Sequence, residues 1–485
     1  MNAPRSLGRF RMWVAGFALL LLPTQALAHT SLTHSSPASG AHLNVTPREL
    51  RLRFNEQIEI ALARLSLVGP DGTEIVLGEL QNAPDSTTVV VAPVEGPLSA
   101  GLYTVRWQVA GADGHPVRGE YSFTIDPGAA GLVPDSAAAS VASLSDAGPP
   151  APGQEALPAE HHVRGADDTG FDSGSPLYAA VRWLTFSGLL VVIGVVSFAL
   201  LVLPSLRRRE PSLRAEALGR ARARAASIGL IAGGFLAVAL VLRLFAQSAA
   251  LHGPDAAWVG ELTGFMLTRT LWGWGWILQA TATAVLVLGL WLTRKGRARG
   301  WGIAAVATVG LAATPALSGH AAATSALAVL SDSLHVLAAG GWLGTLLLIM
   351  VVGLPVLLRT TESRTVAAAS LLGAFSPLAL TFAAVLTLTG VYAAWLHLPD
   401  IPALWSSAYG RTLLLKLAAL SVVFAAGAYN WLRAKPVLEE SGDLRPLKRS
   451  AGVELTVGVL VLVITAALVA TPPPVEGESF VAQAE

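Results

Sequence analysis

Eight long apolar runs occupy the second half of this chain, and they restrict its fold more than any other feature. They cover approximately residues 179–203, 225–248, 271–292, 301–318, 328–358, 368–396, 411–432 and 452–471. Each run approaches the ~20 residues that an α-helix needs to cross a bilayer. A spanning segment must satisfy its own backbone hydrogen bonds in lipid, so the runs predict helices. We therefore expect an all-α polytopic membrane domain of eight transmembrane helices at 178–472 and a short tail at 473–485.

The composition agrees with a protein that lies partly in lipid and excludes several kinds of chemistry. Hydrophobic residues make up 53% of the chain and charged residues only 13%, which is unusually apolar for a soluble protein of this length. The chain has no cysteine, so disulfides, thiolate metal sites and thiol nucleophiles are excluded. It has only four methionines, which leaves imidazole, amine and carboxylate groups as metal ligands. No nucleotide-binding motif is visible, and we expect neither a nucleotide nor a nucleic acid as a partner.

The first residues have the pattern of a secretory signal. Arg5, Arg9 and Arg11 form a charged region, residues 12–22 form an apolar stretch too short to span a bilayer, and Ala26-Leu27-Ala28 is a small-x-small cleavage pattern. We expect residues 1–28 to be removed. His29 would then be the N-terminal residue, and its α-amine and imidazole together can close a chelate ring on a metal ion.

An exported β-domain is predicted at 29–126. Leu50, Leu52 and Phe54 alternate with arginines, and similar alternation recurs at 103–109 and 121–125, the period of half-buried strands. Several short strands in about 100 residues favour a small all-β sandwich or barrel. Residues 127–177 are rich in Ala, Pro, Gly, Ser and Asp, which is typical of a flexible linker.

The charges of the loops predict the orientation of the membrane domain. If the β-domain is exported, the loops at 207–224, 294–299, 359–369 and 433–449 face the cytoplasm, and they contain 18 Lys and Arg. The outer loops contain only Arg269 and Arg411. This asymmetry follows the positive-inside rule. It places the N-terminal domain and the C-terminus on the periplasmic side of a bacterial inner membrane.

With this topology, every one of the ten histidines lies in the exported part or at the outer end of a span. Asp332 and His335 share one helix face near the outer end of the fifth run, and an ionisable pair within a span is a functional candidate. His320 follows the fourth run. We take these three as a candidate membrane metal site and His252 and His397 as weaker candidates. The alternative is that these histidines bind backbone carbonyls or lie in the wet interface.

The strongest metal-binding pattern is in the β-domain. Asp113 and His115 fall on a connection between two predicted strands, and residues two apart on an extended segment point the same way. Together with the amine and imidazole of His29 they would supply three nitrogens and a carboxylate. Such a nitrogen-rich set suits Cu(II). The alternative is that Asp113 caps a turn and His115 is a surface residue.

The exported segment resembles the CopC copper-binding domain over nearly all of 29–126. The resemblance rests on His29 and on the stretches 36–40, 51–56, 68–72 and Asp113-Gly114-His115-Pro116-Val117-Arg118-Gly119. It implies a Greek-key β-barrel or Ig-like sandwich whose Cu(II) ligands are His29, Asp113 and His115. Some CopC proteins have a second, Met-rich Cu(I) site. No Met lies between 29 and 265, so we expect a Cu(II)-only domain.

The membrane part resembles CopD over about 180–470. The matching blocks occur in order: Ser318-Gly319-His320, Asp332 and His335, 338–344, 389–392 with Trp395, Tyr409-Gly410-Arg411 with Lys416, and Asn430. A fusion of the two domains implies a role in copper acquisition or copper resistance.

We interpret the chain as a copper-homeostasis protein and not as an enzyme. The exported domain would capture Cu(II), with other periplasmic copper carriers as further partners, and deliver it to a membrane domain that mediates copper uptake. Two alternatives stay open: periplasmic copper sequestration without transport, and a haem-binding redox protein in which His320 and His335 ligate the iron. Oxidative catalysis at the N-terminal site is disfavoured because the Asp113 carboxylate would occupy a coordination position. The inner half of the membrane domain has no His or Cys, so no ladder of copper ligands crosses it.

Overall fold

A computed structural model describes residues 30–55, 57–111, 116–128, 176–253, 256–318, 325–360, 364–469 and 471. Within these ranges the chain forms an N-terminal β-sandwich and a C-terminal helical domain, which confirms the predicted fold class. The predicted signal peptide, nearly all of the predicted linker and the C-terminal tail lie outside the described residues. So do four of the candidate ligands, which are His29, Asp113, His115 and His320.

The β-domain consists of two facing sheets. One sheet has the strand order β1-β3-β7-β6, and the other has the order β2-β9-β8-β4-β5. The strands are β1 (Leu32–Ser36), β2 (His42–Leu43), β3 (Glu49–Phe54), β4 (Arg64–Val68), β5 (Glu74–Ile75), β6 (Gln81–Ala83), β7 (Ser86–Pro93), β8 (Gly101–Ala110) and β9 (Pro116–Ile125). Each sheet contains two neighbouring pairs that are not consecutive in the chain, so the chain crosses repeatedly between the sheets.

The core between the sheets follows from the alternation in the sequence. Leu50, Leu52 and Phe54 of β3 are buried, and the ring of Phe54 meets that of Trp107 edge-on, with centroids 5.3 Å apart. Trp107 lies opposite Gly119 in the register of β8 and β9. A Cβ at position 119 would overlap the indole, so this position of the hairpin requires glycine.

Eight helices are long and apolar enough to cross a membrane, in agreement with the eight predicted spans. They are α1 (Pro176–Arg209), α2 (Ala215–His252), α3 (Leu271–Arg294), α4 (Arg299–Leu317), α5 (Ala326–Arg359), α6 (Thr365–His397), α7 (Ala408–Ser441) and α8 (Arg445–Leu468). Helices α1 and α5 are the most buried. Helix α1 packs against α2, α5 and α8, and α5 packs against α4 and α6.

Helices α1 and α5 touch at their backbones. A Cβ added at Gly194 of α1 would overlap the backbone of Gly344, and one added at Gly344 would overlap the carbonyl oxygen of Leu190. Small residues allow membrane helices to approach in this way. Gly344 also ends a π-helical turn of α5 that covers Gly340–Gly344, a local widening that is often found at functional sites.

The β-domain rests on the C-terminal end of α2. The side-chain amide of Gln108 donates to the carbonyl of Leu251 at 2.9 Å, and the guanidinium of Arg118 donates to the carbonyl of Ala250 at 3.3 Å. Both carbonyls belong to the last turn of α2, where no intrahelical donor remains and a cation is favoured by the helix dipole. Leu62 and Ala110 of the β-domain pack with three membrane-domain residues: Leu251, Met266 and Trp272.

We expect Gly194→Ala to destabilise the membrane domain by about 1–3 kcal/mol or more, because the added methyl group overpacks a backbone contact. The protein in detergent should lose solubility at a lower temperature than the wild type in a thermal-aggregation assay. Gly234→Ala is the control, since nothing lies within 4 Å of its new Cβ. Equal melting of the two variants would contradict the close approach of α1 and α5.

Candidate metal centres

The structure describes the residues that flank the predicted Cu(II) ligands of the β-domain. Ser31, two residues after His29, donates its backbone N–H to the side-chain oxygen of Asn55 at 2.7 Å. Gly111, two residues before Asp113, forms an isolated bridge with Ile58. Asn55 and Ile58 are three residues apart, which is about 10 Å at full extension. The segments that carry the predicted ligands therefore leave the sandwich at neighbouring points.

The hairpin of β8 and β9 positions the connection that contains Asp113 and His115. Ala110 pairs with Pro116 at the end of the ladder, and the carbonyl of Ala110 accepts a hydrogen bond from the N–H of Glu59 at 3.0 Å. Burial raises the pKa of Glu59. Since Ala110 also packs on Leu251 of α2, the connection begins where the β-domain meets the membrane domain.

The other histidines described in the β-domain do not converge on a metal site. His34 is exposed on β1. His42 of β2 lies 3.3 Å from a carboxylate oxygen of Asp126, and this pair is exposed to solvent. Surface pairs of this kind contribute little to stability.

Asp332 and His335 lie one helical turn apart in the N-terminal part of α5. The Nδ1 atom of His335 is 2.8 Å from the hydroxyl oxygen of Thr389 in α6. The Thr389 hydroxyl already donates its only proton to the carbonyl of Val385 at 2.7 Å. It must therefore accept from His335, so Nδ1 carries the proton and the lone pair of the neutral ring is on Nε2. A hydrogen bond of this type orients a metal-binding imidazole.

Lys416 of α7 is the third charged group of this cluster. It acts electrostatically on both Asp332 and His335, and all three side chains are half-buried. In the sequence, Lys416 stood out only as part of a matching block and had no predicted role. A single lysine in an apolar run by itself indicates a candidate functional residue, because charged groups within a span are costly without a partner.

His397 lies at the edge of the cluster formed by Asp332, His335 and Lys416. Its Nδ1 donates to the carbonyl of Ala393 at 2.8 Å, and its ring stacks on Tyr409 with centroids 6.1 Å apart. Tyr409 in turn acts electrostatically on Asp332. His252 lies elsewhere, at the end of α2 beside the docked β-domain, with Nδ1 3.3 Å from the Ser248 hydroxyl.

These residues do not by themselves complete a metal site. Among the residues that the structure describes, no group of three or more His, Asp or Glu side chains converges to hold a metal ion. Asp332 and His335 supply two ligands, and the assignment of His320 as a third stays a prediction.

A second polar cluster that sequence reasoning missed lies between α2, α3 and α4. Arg243 donates to Gln279 at 2.6 Å and to the hydroxyl of Ser318 at 2.7 Å. Its guanidinium also lies 5.3 Å from the ring centroid of Trp272, a residue that contacts the β-domain. Arg243 thus links Ser318, which directly follows α4, to the residues that contact the β-domain.

Three family models match successive parts of the chain. They are the CopC domain at 32–126, the N-terminal domain of copper resistance protein D-like proteins at 172–330, and copper resistance protein D at 369–468. The chain is a CopC–CopD fusion. It therefore belongs to a family of copper transport and copper resistance, which confirms the predicted resemblance.

The chain is also similar to individual proteins. The copper transport protein CutJ of Bacillus subtilis is 26% identical over 482 residues, which cover 96% of this chain and 79% of CutJ. The protein YobA of Escherichia coli K12 is 33% identical over 115 residues, which cover 22% of this chain and 92% of YobA. The crystal structure of CopC from Methylosinus trichosporium OB3b matches 20% of this chain and 95% of its own, with 30% identity and a TM-score of 0.20.

A double-mutant cycle tests the pairing of Asp332 with Lys416. We expect Asp332→Asn and Lys416→Met each to destabilise the fusion protein, because each leaves one charge without its counter-charge within the bundle. The loss of unfolding free energy in the double variant should be smaller than the sum of the losses in the two single variants, by about 1–3 kcal/mol. Reversible unfolding in mixed detergent measures this difference, and strictly additive effects would contradict the pair.

Proposed function

We propose that the CopC–CopD fusion captures Cu(II) with its exported domain and delivers it to the membrane domain, which moves copper into the cytoplasm. The observation that carries this proposal is the docking of the β8–β9 hairpin on the outer end of α2. Asp113 and His115 stand in the sequence between the paired residues Ala110 and Pro116 of this hairpin, which supports transfer of copper from the capture site to the membrane domain. The protein acts as a binder and transporter and not as an enzyme.

The capture step uses His29, Asp113 and His115. The α-amine and imidazole of His29 chelate the metal, the His115 imidazole adds a third nitrogen, and the Asp113 carboxylate neutralises part of the charge. Three nitrogens and one oxygen match the preference of Cu(II). The two chain segments that carry these ligands leave the sandwich beside Asn55 and Ile58, which are close together. This supports a common site for the three ligands.

The receiving step uses the outer cluster of the membrane domain. Nε2 of His335 is the basic nitrogen of a ring held by Thr389, and Asp332 lies on the same helix face. Lys416 competes with a copper ion for the charge of Asp332, which weakens binding. Weak binding suits a site that passes its ion on, whereas a storage site would lack such a competitor.

The orientation follows from the charge of the loops. The Lys-rich and Arg-rich loops face the cytoplasm, as the positive-inside rule requires, and the β-domain and C-terminus face the periplasm. Other periplasmic copper carriers would load the β-domain from that side.

An insertion tests the capture site. One alanine inserted between Ala28 and His29 leaves the His29 side chain in place but removes its free amine. We expect Cu(II) affinity of the full-length protein in detergent to fall by at least about a hundredfold, or roughly 2.8 kcal/mol. An alanine inserted at position 150 is the control. Equal affinities for the two proteins, with N-termini verified by sequencing, would rule out the amine as a ligand.

Docking variants test delivery separately from capture. We expect Gln108→Ala combined with Arg118→Ala to lower copper accumulation several-fold in copper-limited cells that lack the native gene, with Cu(II) affinity unchanged. Arg106→Ala is the control, because Arg106 binds Glu120 within the hairpin. If the double variant accumulates as much copper as the control, delivery does not use this contact. If the wild-type protein does not raise accumulation at all, the import proposal fails and sequestration is favoured.

A further inference from the structure

We propose that Glu454 is the proton-binding group through which the membrane domain couples copper movement to proton movement. This inference rests on the proposed transport function and deepens it, because it assigns an energy source to a chain without a visible nucleotide-binding motif. It is carried by the buried position of Glu454, by its neutral partner Asn430 and by a pocket near the inner ends of α7 and α8.

Glu454 is an ionisable residue buried within the bundle. It lies in the inner half of α8 under the proposed orientation, and only 2% of its surface is exposed. Its carboxyl oxygen Oε1 accepts a hydrogen bond from the side-chain amide of Asn430 in α7.

The amide oxygen of Asn430 is buried and has no hydrogen-bond partner. The pair therefore has more acceptors than donors, and one additional proton would correct this imbalance.

Among the described residues, Asn430 is the side chain that acts on Glu454, and no cationic group does so. The charged side chains of the helices packed against α8 lie toward the two ends of the bundle, and the titratable Tyr429 is next to Asn430 in α7. The charged residues are Arg182, Arg207, Arg208 and Arg209 on α1, Asp332, His335 and Arg359 on α5, and Arg411, Lys416, Arg433, Lys435, Glu439 and Glu440 on α7; the other tyrosines are Tyr178 on α1 and Tyr409 on α7. A buried carboxylate without a counter-charge is costly, and a proton is the simplest counter-charge.

The local backbone is also unusual at this point. Asn430 begins a π-helical turn of α7 that covers Asn430–Ala434. Such turns interrupt the regular hydrogen bonding of a helix and are frequent at functional sites. The turn begins at the residue that binds Glu454.

A pocket lies at the inner ends of α7 and α8, one helical turn from Glu454. It has a volume of about 500 Å³ and is lined by residues that include Arg445, Arg449, Ser450 and Val453. Ser450 lies one helical turn before Glu454, about 6 Å along the axis, and its hydroxyl donates to the carbonyl of Ala426 at 3.1 Å. A proton that leaves Glu454 can reach water in this pocket after a short transfer.

On its other side, Glu454 approaches the outer cluster through an aromatic pair. A Cβ at Gly427 would lie 3.9 Å from Oε2 of Glu454 and 3.6 Å from the indole of Trp342, so these two side chains flank the same glycine. Trp342 contacts Phe424 with ring centroids 5.3 Å apart. It follows His335 by seven residues on α5 and therefore lies on the same face. The aromatic pair separates the receiving cluster from the carboxyl group.

The step itself is an acid dissociation. The carboxylic acid of Glu454 loses a proton to water in the inner pocket and becomes a carboxylate, and reprotonation restores the acid. Asn430 is a positioning residue, because it holds one carboxyl oxygen and leaves the other to carry the proton. Ionisation of Glu454 creates a negative charge below the aromatic pair, which attracts a copper cation from the cluster above.

Proteoliposomes containing the full chain test this assignment with glycine-buffered Cu(II) chloride as the probe. We expect copper uptake by the wild type to change several-fold when a pH gradient is imposed. Glu454→Gln, which has nearly the same shape, should lose this response. The control Glu440→Gln changes an exposed glutamate and should keep it. Asn430→Ala should keep the response with its midpoint at higher pH, since the carboxylate loses a donor.

Infrared difference spectra supply a readout that does not depend on transport. The wild type should show a protonated-carboxyl band that disappears at high pH and is missing from Glu454→Gln. If Glu454→Gln transports copper with an unchanged pH response, the coupling role is wrong and the transport proposal stands. If the wild type moves no copper, the transport proposal fails, and a band that persists in Glu454→Gln then overturns the proton site as well.

Discussion

The backbone contact between α1 and α5 is the constraint on which the rest of the membrane domain depends. Gly194 and Gly344 allow the two most buried helices to touch, and this approach places α5 at the centre of the bundle. Helix α5 then presents Asp332 and His335 in its N-terminal part and Trp342 seven residues after His335. A side chain at either glycine would overlap the facing backbone and force α1 and α5 apart.

Lipid imposes a second condition, which the structure meets by pairing polar groups across helices. Lys416 acts electrostatically on Asp332, His335 is hydrogen-bonded to Thr389, and Glu454 is hydrogen-bonded to Asn430, at successive depths between α5, α6, α7 and α8. Such groups are retained within membranes where they have a function. The chain has no cysteine and few methionines, so copper handling must rely on imidazole, amine and oxygen donors.

Much of this arrangement could be predicted from the sequence. The alternation of Leu50, Leu52 and Phe54 predicted a buried strand, and the apolar runs predicted eight helices, because both patterns are set by neighbours in the chain. Asp332 and His335 were found because they are spaced by one helical turn. Arg243 and Glu454 were missed because the prediction of site residues started from side chains that bind copper. Their significance depends on Gln279 and Asn430, which lie on other helices.

The sequence by itself determined the kinds of element, the two-domain order and the ligand types that the protein can use. Those properties depend on composition and on short periodicities, which can be recognised without knowledge of the fold. The tertiary structure decided which groups meet: Thr389 selects the basic nitrogen of His335, Lys416 competes for Asp332, and the carbonyls of Ala250 and Leu251 hold the β-domain. The physical reason is that the rotation of each helix about its axis is set by close packing against its neighbours.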